Sequence, residues 1–213
     1  MIATLPPEMP VRVVARPASV SEETLARSDA AVVLLEKTDA GRKRLATLPH
    51  AALWTALLGS ARRAGNEWPT LVTRLPNRRH TLAVVAFTRP AASGFERLEL
   101  AGKLAKEVVQ PGVATLQLHA LVGGPAQREA LLEAVLSAVL AHAAPMPEAK
   151  NTASVPAPLA SVEIAGPRSP AYERSVAVAQ GNHLARWLAT LPPNVLDTPG
   201  YRKALARLAK REG

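Results

Sequence analysis

Apolar runs of strand length alternate with amphipathic stretches over residues 10–144. The run Ala30–Leu35 follows Asp29 and contains no polar residue, which is typical of a strand buried on both faces. The other strands are predicted from their apolar and β-branched composition. Residues 37–41 are predicted to form a turn. The predicted strands span 11–14, 30–36, 70–74, 80–87 and 113–122.

Three helices are predicted among these strands. One begins at Ser93, whose side chain can form a capping box with Glu96, and ends at Pro111. The other two span 51–64 and 127–144. The alternation of strands and helices predicts an α/β sandwich with a largely parallel or mixed sheet. The apolar face predicted for the helix after Ser93 consists of Leu98, Ala101, Ala105 and Val108.

A proline-rich segment follows the last of these helices. Residues 145–170 contain four prolines near their start and a short predicted strand at 159–164, a composition typical of a linker. A long helix is then predicted over 171–190, and Thr198 is predicted to cap a last helix with Pro199 at its first position. The predicted organisation is a tail over 1–9, an α/β domain over 10–144, a linker over 145–170 and the start of a second domain over 171–213.

The composition limits the chemistry of the chain. Of its 213 residues, 48% are apolar and 3% are aromatic, so the core is predicted to consist of Ala, Val and Leu. The absence of cysteine excludes disulfides, zinc–thiolate sites and thiol nucleophiles from this sequence. Residues 1–8 lack a basic and apolar leader, and the apolar stretch 130–144 is too short and too polar to span a bilayer. We therefore expect a cytoplasmic protein without a membrane segment.

The chain is basic, with a formal net charge of +9 from 26 Lys and Arg against 17 Asp and Glu. A basic surface attracts polyanions through non-specific, salt-sensitive forces, so its clusters are candidate contacts for DNA or a nucleotide. No aromatic residue lies among them to stack on a base, and a merely solubilising basic surface is the alternative. The clusters are Arg42, Lys43 and Arg44, then Arg62 and Arg63, and then Arg78 and Arg79.

Glycine and histidine patterns give no catalytic site. The pair Gly102-Lys103 lacks the earlier Gly and the following Ser or Thr of a phosphate-binding loop. Gly123 and Gly124 lie between a predicted strand and a predicted helix, where backbone amides can hold an anion; a tight turn is the alternative. No two of the five His residues are three or four positions apart, which excludes a helical metal-binding pair. We predict no catalytic residue and no metal ligand in this chain.

One segment near the C-terminus carries a family resemblance. Residues 180–196 read Gln-Gly-Asn-His-Leu-Ala-Arg-Trp-Leu-Ala-Thr-Leu-Pro-Pro-Asn-Val-Leu, and 198–201 read Thr-Pro-Gly-Tyr. The segment resembles the beginning of the catalytic domain in the leucyl aminopeptidase (cytosol aminopeptidase) family. Thr190, where the family has Asn, and Asp197, an additional residue, depart from the family pattern. The matching positions are Gly181, Ala185, Arg186, Leu188, Pro192, Asn194, Leu196, Thr198 and Pro199.

The resemblance implies a macro-domain-like three-layer sandwich with a mixed sheet, followed by a linker and the first strand and helices of an incomplete second domain. It also implies that the complete family enzyme binds two divalent metals, Zn or Mn, through a Lys, several Asp and a Glu further along. Residues 171–213 contain only three carboxylates, whereas two-metal hydrolysis requires a cluster of them. We therefore expect no cofactor in this chain and no peptidase activity from it alone.

The sequence leaves two main functions open. The first is the non-catalytic N-terminal portion of a leucyl-aminopeptidase-like metallo-exopeptidase, with a role in oligomer assembly and in access to the active site. The family's homo-hexamer would then form through a catalytic domain beyond Gly213. The second is a basic, macro-like module that binds DNA or a nucleotide weakly. A structural protein that docks on a separately encoded catalytic chain is a third interpretation.

Overall fold

The computed structural model describes residues 5–7, 9, 11–147 and 159–212, which form alternating strands and helices. The strands are β1 (Arg12–Arg16), β2 (Ala30–Glu36), β3 (Leu71–Arg74), β4 (Leu82–Thr88), β5 (Thr115–Leu121) and β6 (Ser161–Ala165). The helices are α1 (Glu22–Leu25), α2 (Asp39–Leu45), α3 (Ala51–Arg63), α4 (Gly94–Val108), α5 (Pro125–Ala143), α6 (Pro170–Thr190) and α7 (Thr198–Glu212).

The described strands form one mixed sheet with the order β1-β6-β5-β2-β4-β3. Neighbouring strands are parallel except β3, which is antiparallel to β4. In the central strand β2, every residue from Ala30 to Leu35 is at most 2% exposed. A parallel strand buried in this way needs helices on both faces of the sheet. The predicted α/β fold with a mixed sheet is confirmed.

Alternate residues of the central strands build a separate hydrophobic core on each face of the sheet. Val32 and Val84 belong to the core that α4, α5 and α6 cover. Val33 and Val85 belong to the opposite core, which includes Trp54 of α3 and residues of α1 and α2. The result is a helix–sheet–helix sandwich of three layers.

Asp29 holds the beginning of β2 against the beginning of β5. Its Oδ2 atom accepts hydrogen bonds from the backbone N–H groups of Ala114 (3.1 Å) and Thr115 (2.9 Å) and from the Thr115 hydroxyl (2.8 Å). Its Oδ1 atom forms an ion pair with Arg79 at 2.9 Å. Partial burial raises the pKa of Asp29, but the hydrogen bonds and Arg79 outweigh burial and hold that pKa below its ordinary value. A charged carboxylate therefore fixes the start of the central strand pair.

Strand β6 lies inside the sheet, between β1 and β5, although the proline-rich composition placed it in a linker. It pairs with the whole of β1 in parallel register, from Arg12 opposite Ser161 to Arg16 opposite Ala165. Its apolar residues at alternate positions, Val162 and Ile164, are fully buried under the helices, as a strand with one core-facing side requires. This strand thus belongs to the first sheet, while the predicted domain boundaries stay a prediction.

The predicted turn at 37–41 is wrong in its second half, because α2 begins at Asp39. Thr38 caps this helix by accepting a hydrogen bond from the Gly41 N–H at 3.2 Å. Gly41 also allows a close approach of the backbone, since a Cβ at this position would lie 1.9 Å from the carbonyl oxygen of Glu36. The glycine that suggested a turn therefore serves to bring α2 against the end of β2.

Two predicted helix details also change. The capping box of Ser93 and Glu96 at the start of α4 is confirmed, but Leu98 is 58% exposed. Leu104 takes its place in the core, together with Ala101, Ala105 and Val108. At the start of α7, Asp197 is the capping residue instead of Thr198, because its Oδ1 atom accepts the hydrogen bond of the Gly200 N–H at 2.7 Å.

We expect Ile164→Ala to destabilise the whole sheet, because the fully buried side chain of Ile164 fills the core between β6 and the helices. The cavity should lower the free energy of unfolding by about 2–4 kcal/mol. Urea denaturation followed by circular dichroism measures this change. Leu98→Ala, at an exposed position of α4, is the control and should change it by less than about 0.5 kcal/mol. An equal effect of both substitutions would contradict the role of β6.

Candidate functional site

The residues of the family motif lie on α6, in the following loop and at the start of α7. Arg186 contacts the end of α5, where its Nη1 atom donates a hydrogen bond to the carbonyl of Ala141 at 2.9 Å. A cation at a helix C-terminus is stabilised by the helix dipole. Leu188 and Pro192 are half-buried. The motif residues that are exposed are Gly181, Ala185, Arg186, Asn194, Thr198 and Pro199.

The loop between α6 and α7 is held by its own backbone. The N–H groups of Val195 and Leu196 donate hydrogen bonds to the carbonyl of Pro192 at 2.9 and 3.1 Å. Gly200 packs against this turn, since a Cβ there would lie 2.3 Å from the carbonyl oxygen of Val195. Asp197, the additional residue relative to the family pattern, is accommodated as the cap of α7.

A crevice lies at the carboxyl ends of β2 and β5. These strands are neighbours, but the chain leaves β2 toward α2 on one face and β5 toward α5 on the other. In α/β sheets such a reversal is the usual place for a ligand. The cavity has a volume of about 310 Å³. Its charged lining residues are Glu36, Arg44 and Arg128.

The carboxylate of Glu36 lies in this crevice, beside the glycine pair. Its Oε1 atom accepts a hydrogen bond from the Gly123 N–H at 2.7 Å. Arg44 donates a hydrogen bond to the carbonyl of Leu121 at 3.0 Å, which ties α2 to the end of β5. A carboxylate of the chain itself therefore meets the glycine pair, and this favours the tight-turn interpretation of Gly123 and Gly124. The sequence pattern does not reveal this contact, because 87 positions separate its partners.

The basic clusters do not form one patch, because two of them lie near opposite ends of β2. Arg42, beyond the carboxyl end of β2, lies 4.0 Å from the ring centre of Trp68 and forms an ion pair with Asp39 at 3.3 Å. Arg79 contacts Asp29 at the other end of the same strand, about 23 Å away for seven residues. Polyanion binding by these clusters stays a prediction. Their exposed members include Lys43, Arg62, Arg63 and Arg78.

A buried polar cluster lies on β5, on the sheet face opposite α5. Gln117 and His119 are each 2% exposed. The Nε2 atom of Gln117 donates to the carbonyl of Thr24 at 2.9 Å and lies 3.3 Å from a carboxylate oxygen of Glu163. The Nε2 atom of His119 lies 3.2 Å from Oε1 of Gln117. Burial lowers the pKa of His119 to about 4, so the imidazole is neutral at pH 7.

The sequence itself carries a signal for this polar cluster. Gln117 and His119 alternate with Leu116 and Leu118 inside an otherwise apolar run, so they share the second face of a strand. Within the described ranges, no three His, Asp or Glu side chains are grouped so that they could hold a metal ion. Among the same residues, no helix is long and apolar enough to cross a membrane.

Leucyl aminopeptidases are among the solved structures with this fold. A tomato leucine aminopeptidase mutant matches 97% of this chain with a TM-score of 0.70 and 14% identity. A leucyl aminopeptidase from Trypanosoma brucei in complex with actinonin matches 97% with a TM-score of 0.53 and 20% identity. A bottromycin maturation enzyme in complex with Mn matches 86% with a TM-score of 0.56 and 18% identity. No protein-family model and no curated protein matches the sequence.

The chain spans less than half the length of these structures. It covers 44% of the tomato enzyme, 42% of the trypanosome enzyme and 36% of the bottromycin enzyme. At these identities the likeness establishes the fold, which is that of the N-terminal domain of leucyl aminopeptidases. The fold that the family resemblance implied is confirmed.

We expect His119 to make the fold sensitive to acid. Its folded pKa of about 4 lies below the ordinary value of 6.5, so the unfolded chain takes up the proton first as the pH falls. Stability should therefore decrease below pH 6.5, by about 3 kcal/mol near pH 4. Urea denaturation at a series of pH values should show a smaller decrease in His119→Gln. His142→Gln, at an exposed position of α5, should behave as the unmodified chain; the same decrease in all three proteins would contradict this role.

Proposed function

We propose that this chain is the non-catalytic N-terminal portion of a leucyl-aminopeptidase-like metallopeptidase. The complete enzyme would remove N-terminal amino acids from peptides by two-metal hydrolysis. The observation that carries the proposal is the structural match to a tomato leucine aminopeptidase over 97% of this chain at a TM-score of 0.70. The solved complex of the bottromycin enzyme with Mn supports metal use by the complete enzyme.

The carboxylates of the described residues support a non-catalytic role, because many of them already hold the fold together. Asp29 pairs with Arg79 and clamps two strands, and Glu36 accepts the Gly123 N–H. Glu163 pairs with Arg16 at 3.4 Å, and Glu133 with Arg174 at 3.1 Å. Two-metal hydrolysis needs several clustered carboxylates around ions about 4 Å apart. The metal ligands would therefore lie outside the described residues.

The proposed contribution of this portion is assembly and access to the active site. Gly181 and Ala185 are exposed on α6, and small side chains on an outer helix face let a second backbone approach closely. This exposure supports contact between the motif region and further protein. By resemblance, we also propose that residues 10–144 are macro-like and that the complete enzyme is a cytoplasmic homo-hexamer.

The purified 213-residue chain should not hydrolyse leucine p-nitroanilide, because its described residues contain no cluster of carboxylates that could hold two metal ions. The measurement is the increase in absorbance with added Mn²⁺ or Zn²⁺, and buffer with the same metal is the baseline. Tomato leucine aminopeptidase under identical conditions is the positive control. Metal-dependent turnover that copurifies with the chain would contradict the proposal.

The coding sequence beyond the codon of Gly213 gives an independent test. We expect it to continue, in frame or nearly so, into a domain rich in Lys and Asp. Expression of the extended chain should then yield metal-dependent release of leucine. If no such sequence follows, the interpretation as a structural partner of a separate catalytic chain is favoured instead.

A further inference from the structure

Strand β3 is an edge of the sheet, because β4 is its one neighbour in the described strand order. The N–H of Leu75, directly after β3, donates a hydrogen bond to the carbonyl of Thr81 at 2.9 Å. In an antiparallel pair, successive residues point their backbone groups alternately toward and away from the neighbouring strand. Since Leu75 faces β4, the N–H and C=O groups of Val72 and Arg74 point away from the sheet. Within the described part of the chain, these four groups have no backbone partner.

The side chains at this edge offer one apolar and one basic contact. Val72 and Arg74 are two positions apart on the strand, so they lie on the same face of the sheet. Val72 is 38% exposed. Arg74 is also exposed, and its Nη1 atom donates a hydrogen bond to the carbonyl of His80 at 3.1 Å. The guanidinium group has further N–H donors beyond this bond, so Arg74 can still bind a carboxylate.

The chain around β3 is strongly basic. Residues 60–80 contain five arginines and a single acidic residue, Glu67, which lies 4.0 Å from Arg42 of α2. Arg79 is paired with Asp29 at 2.9 Å. The four other arginines are exposed at the end of α3, which contacts β3, on β3 itself and in the turn after it. An added strand would therefore meet a positive potential. These arginines are Arg62, Arg63, Arg74 and Arg78.

The position of this edge and its charge limit what can bind there. Strands β5, β2 and β4 lie between β3 and β6, so the edge is remote from the place where the chain passes from β6 into α6. A second copy of this chain would bring two sets of arginines together, and like charges across an interface oppose association. A nucleic acid supplies negative charge but no peptide groups for the strand ladder. An acidic peptide in extended conformation supplies both.

We propose that β3 binds an acidic, extended segment of a partner protein, which joins the sheet as an additional antiparallel strand. Val72 and Arg74 each exchange backbone hydrogen bonds with one residue of that segment. An apolar side chain lies opposite Val72, and a carboxylate lies opposite Arg74. Carboxylates further along the segment face the arginines at the two ends of β3. In strand addition of this kind, main-chain hydrogen bonds supply affinity and the side chains supply specificity.

The test uses the full chain and the fluorescein-labelled peptide Glu-Thr-Glu-Thr-Val-Thr-Glu-Thr-Glu. This peptide can place its Val opposite Val72 and a Glu opposite Arg74. Fluorescence anisotropy should show binding at low ionic strength, with the Kd rising about tenfold at several hundred millimolar NaCl. The same peptide with Lys in place of Glu should not bind.

Two N-methylated forms of the acidic peptide test the strand ladder. The N–H groups of the central Val and of the two neighbouring Glu residues face β3 in the proposed register, and those of the Thr residues face away. Methylation of the Val and Glu amides should weaken binding at least about tenfold, because it removes donors to β3. Methylation of the same number of Thr amides is the matched control and should leave the Kd within about threefold.

Two double variants of equal net charge test the basic surroundings. Arg62→Gln with Arg78→Gln removes one exposed charge near each end of β3 and should raise the Kd about tenfold. Lys43→Gln with Lys106→Gln removes two exposed charges from α2 and α4. This control should leave the Kd within about twofold. Circular dichroism melting confirms that both variants are folded before their Kd values are compared.

Selective loss of binding on methylation of the Val and Glu amides, and on removal of the two arginines, supports the proposal. The proposal is overturned if the acidic peptide does not bind, or if the Lys peptide binds equally well. It is also overturned if both methylated peptides, or both double variants, behave alike. Displacement of the peptide by an equimolar short DNA duplex would assign the basic edge to nucleic acid instead.

Discussion

Burial of the central strand β2 on both faces is the constraint from which the rest of the architecture follows. The residues Ala30–Leu35 are at most 2% exposed, so helices must cover both faces of the sheet. The chain meets this requirement by sending α2 and α3 over one face and α4 and α5 over the other. The crevice beside Glu36 follows from the same requirement. It lies at the point where the chain leaves β2 for one face of the sheet and leaves β5 for the other.

Local sequence patterns predict the helices and strands of this fold better than they predict which of these elements contact each other. The run at 30–36 and the capping box at Ser93 carry their information within a few residues, and both predictions are confirmed. The membership of β6 in the sheet, the bond between Glu36 and Gly123, and the pair Gln117–His119 depend on residues far apart in the chain. Composition predicted a linker where β6 pairs within the sheet, and it predicted a turn at 37–41, where α2 begins and packs against the end of β2.

The crevice and the buried polar pair of this fold are filled by side chains of the chain itself, whereas the family-motif residues of α6 are mostly at the surface. The crevice at the carboxyl edge is closed by Glu36, and the buried pair Gln117–His119 faces the protein interior. By contrast, the motif residues Gly181 and Ala185 on α6 are exposed, and so are the side chains of Tyr201 and Leu205 on α7. The surface positions are therefore the ones at which the described residues can meet other molecules.

The pairing of β1 with β6 also governs how the chain is made. Strand β1 leaves the ribosome before the other described strands. It is an edge strand of the described sheet, and its one partner there, β6, is separated from it by most of the sequence. At ordinary elongation rates the nascent strand waits for about ten seconds before it can pair. Arg12 and Arg16 flank it with positive charge, and such gatekeeper residues discourage premature pairing with other chains. The two arginine side chains of this edge strand thus also protect its assembly.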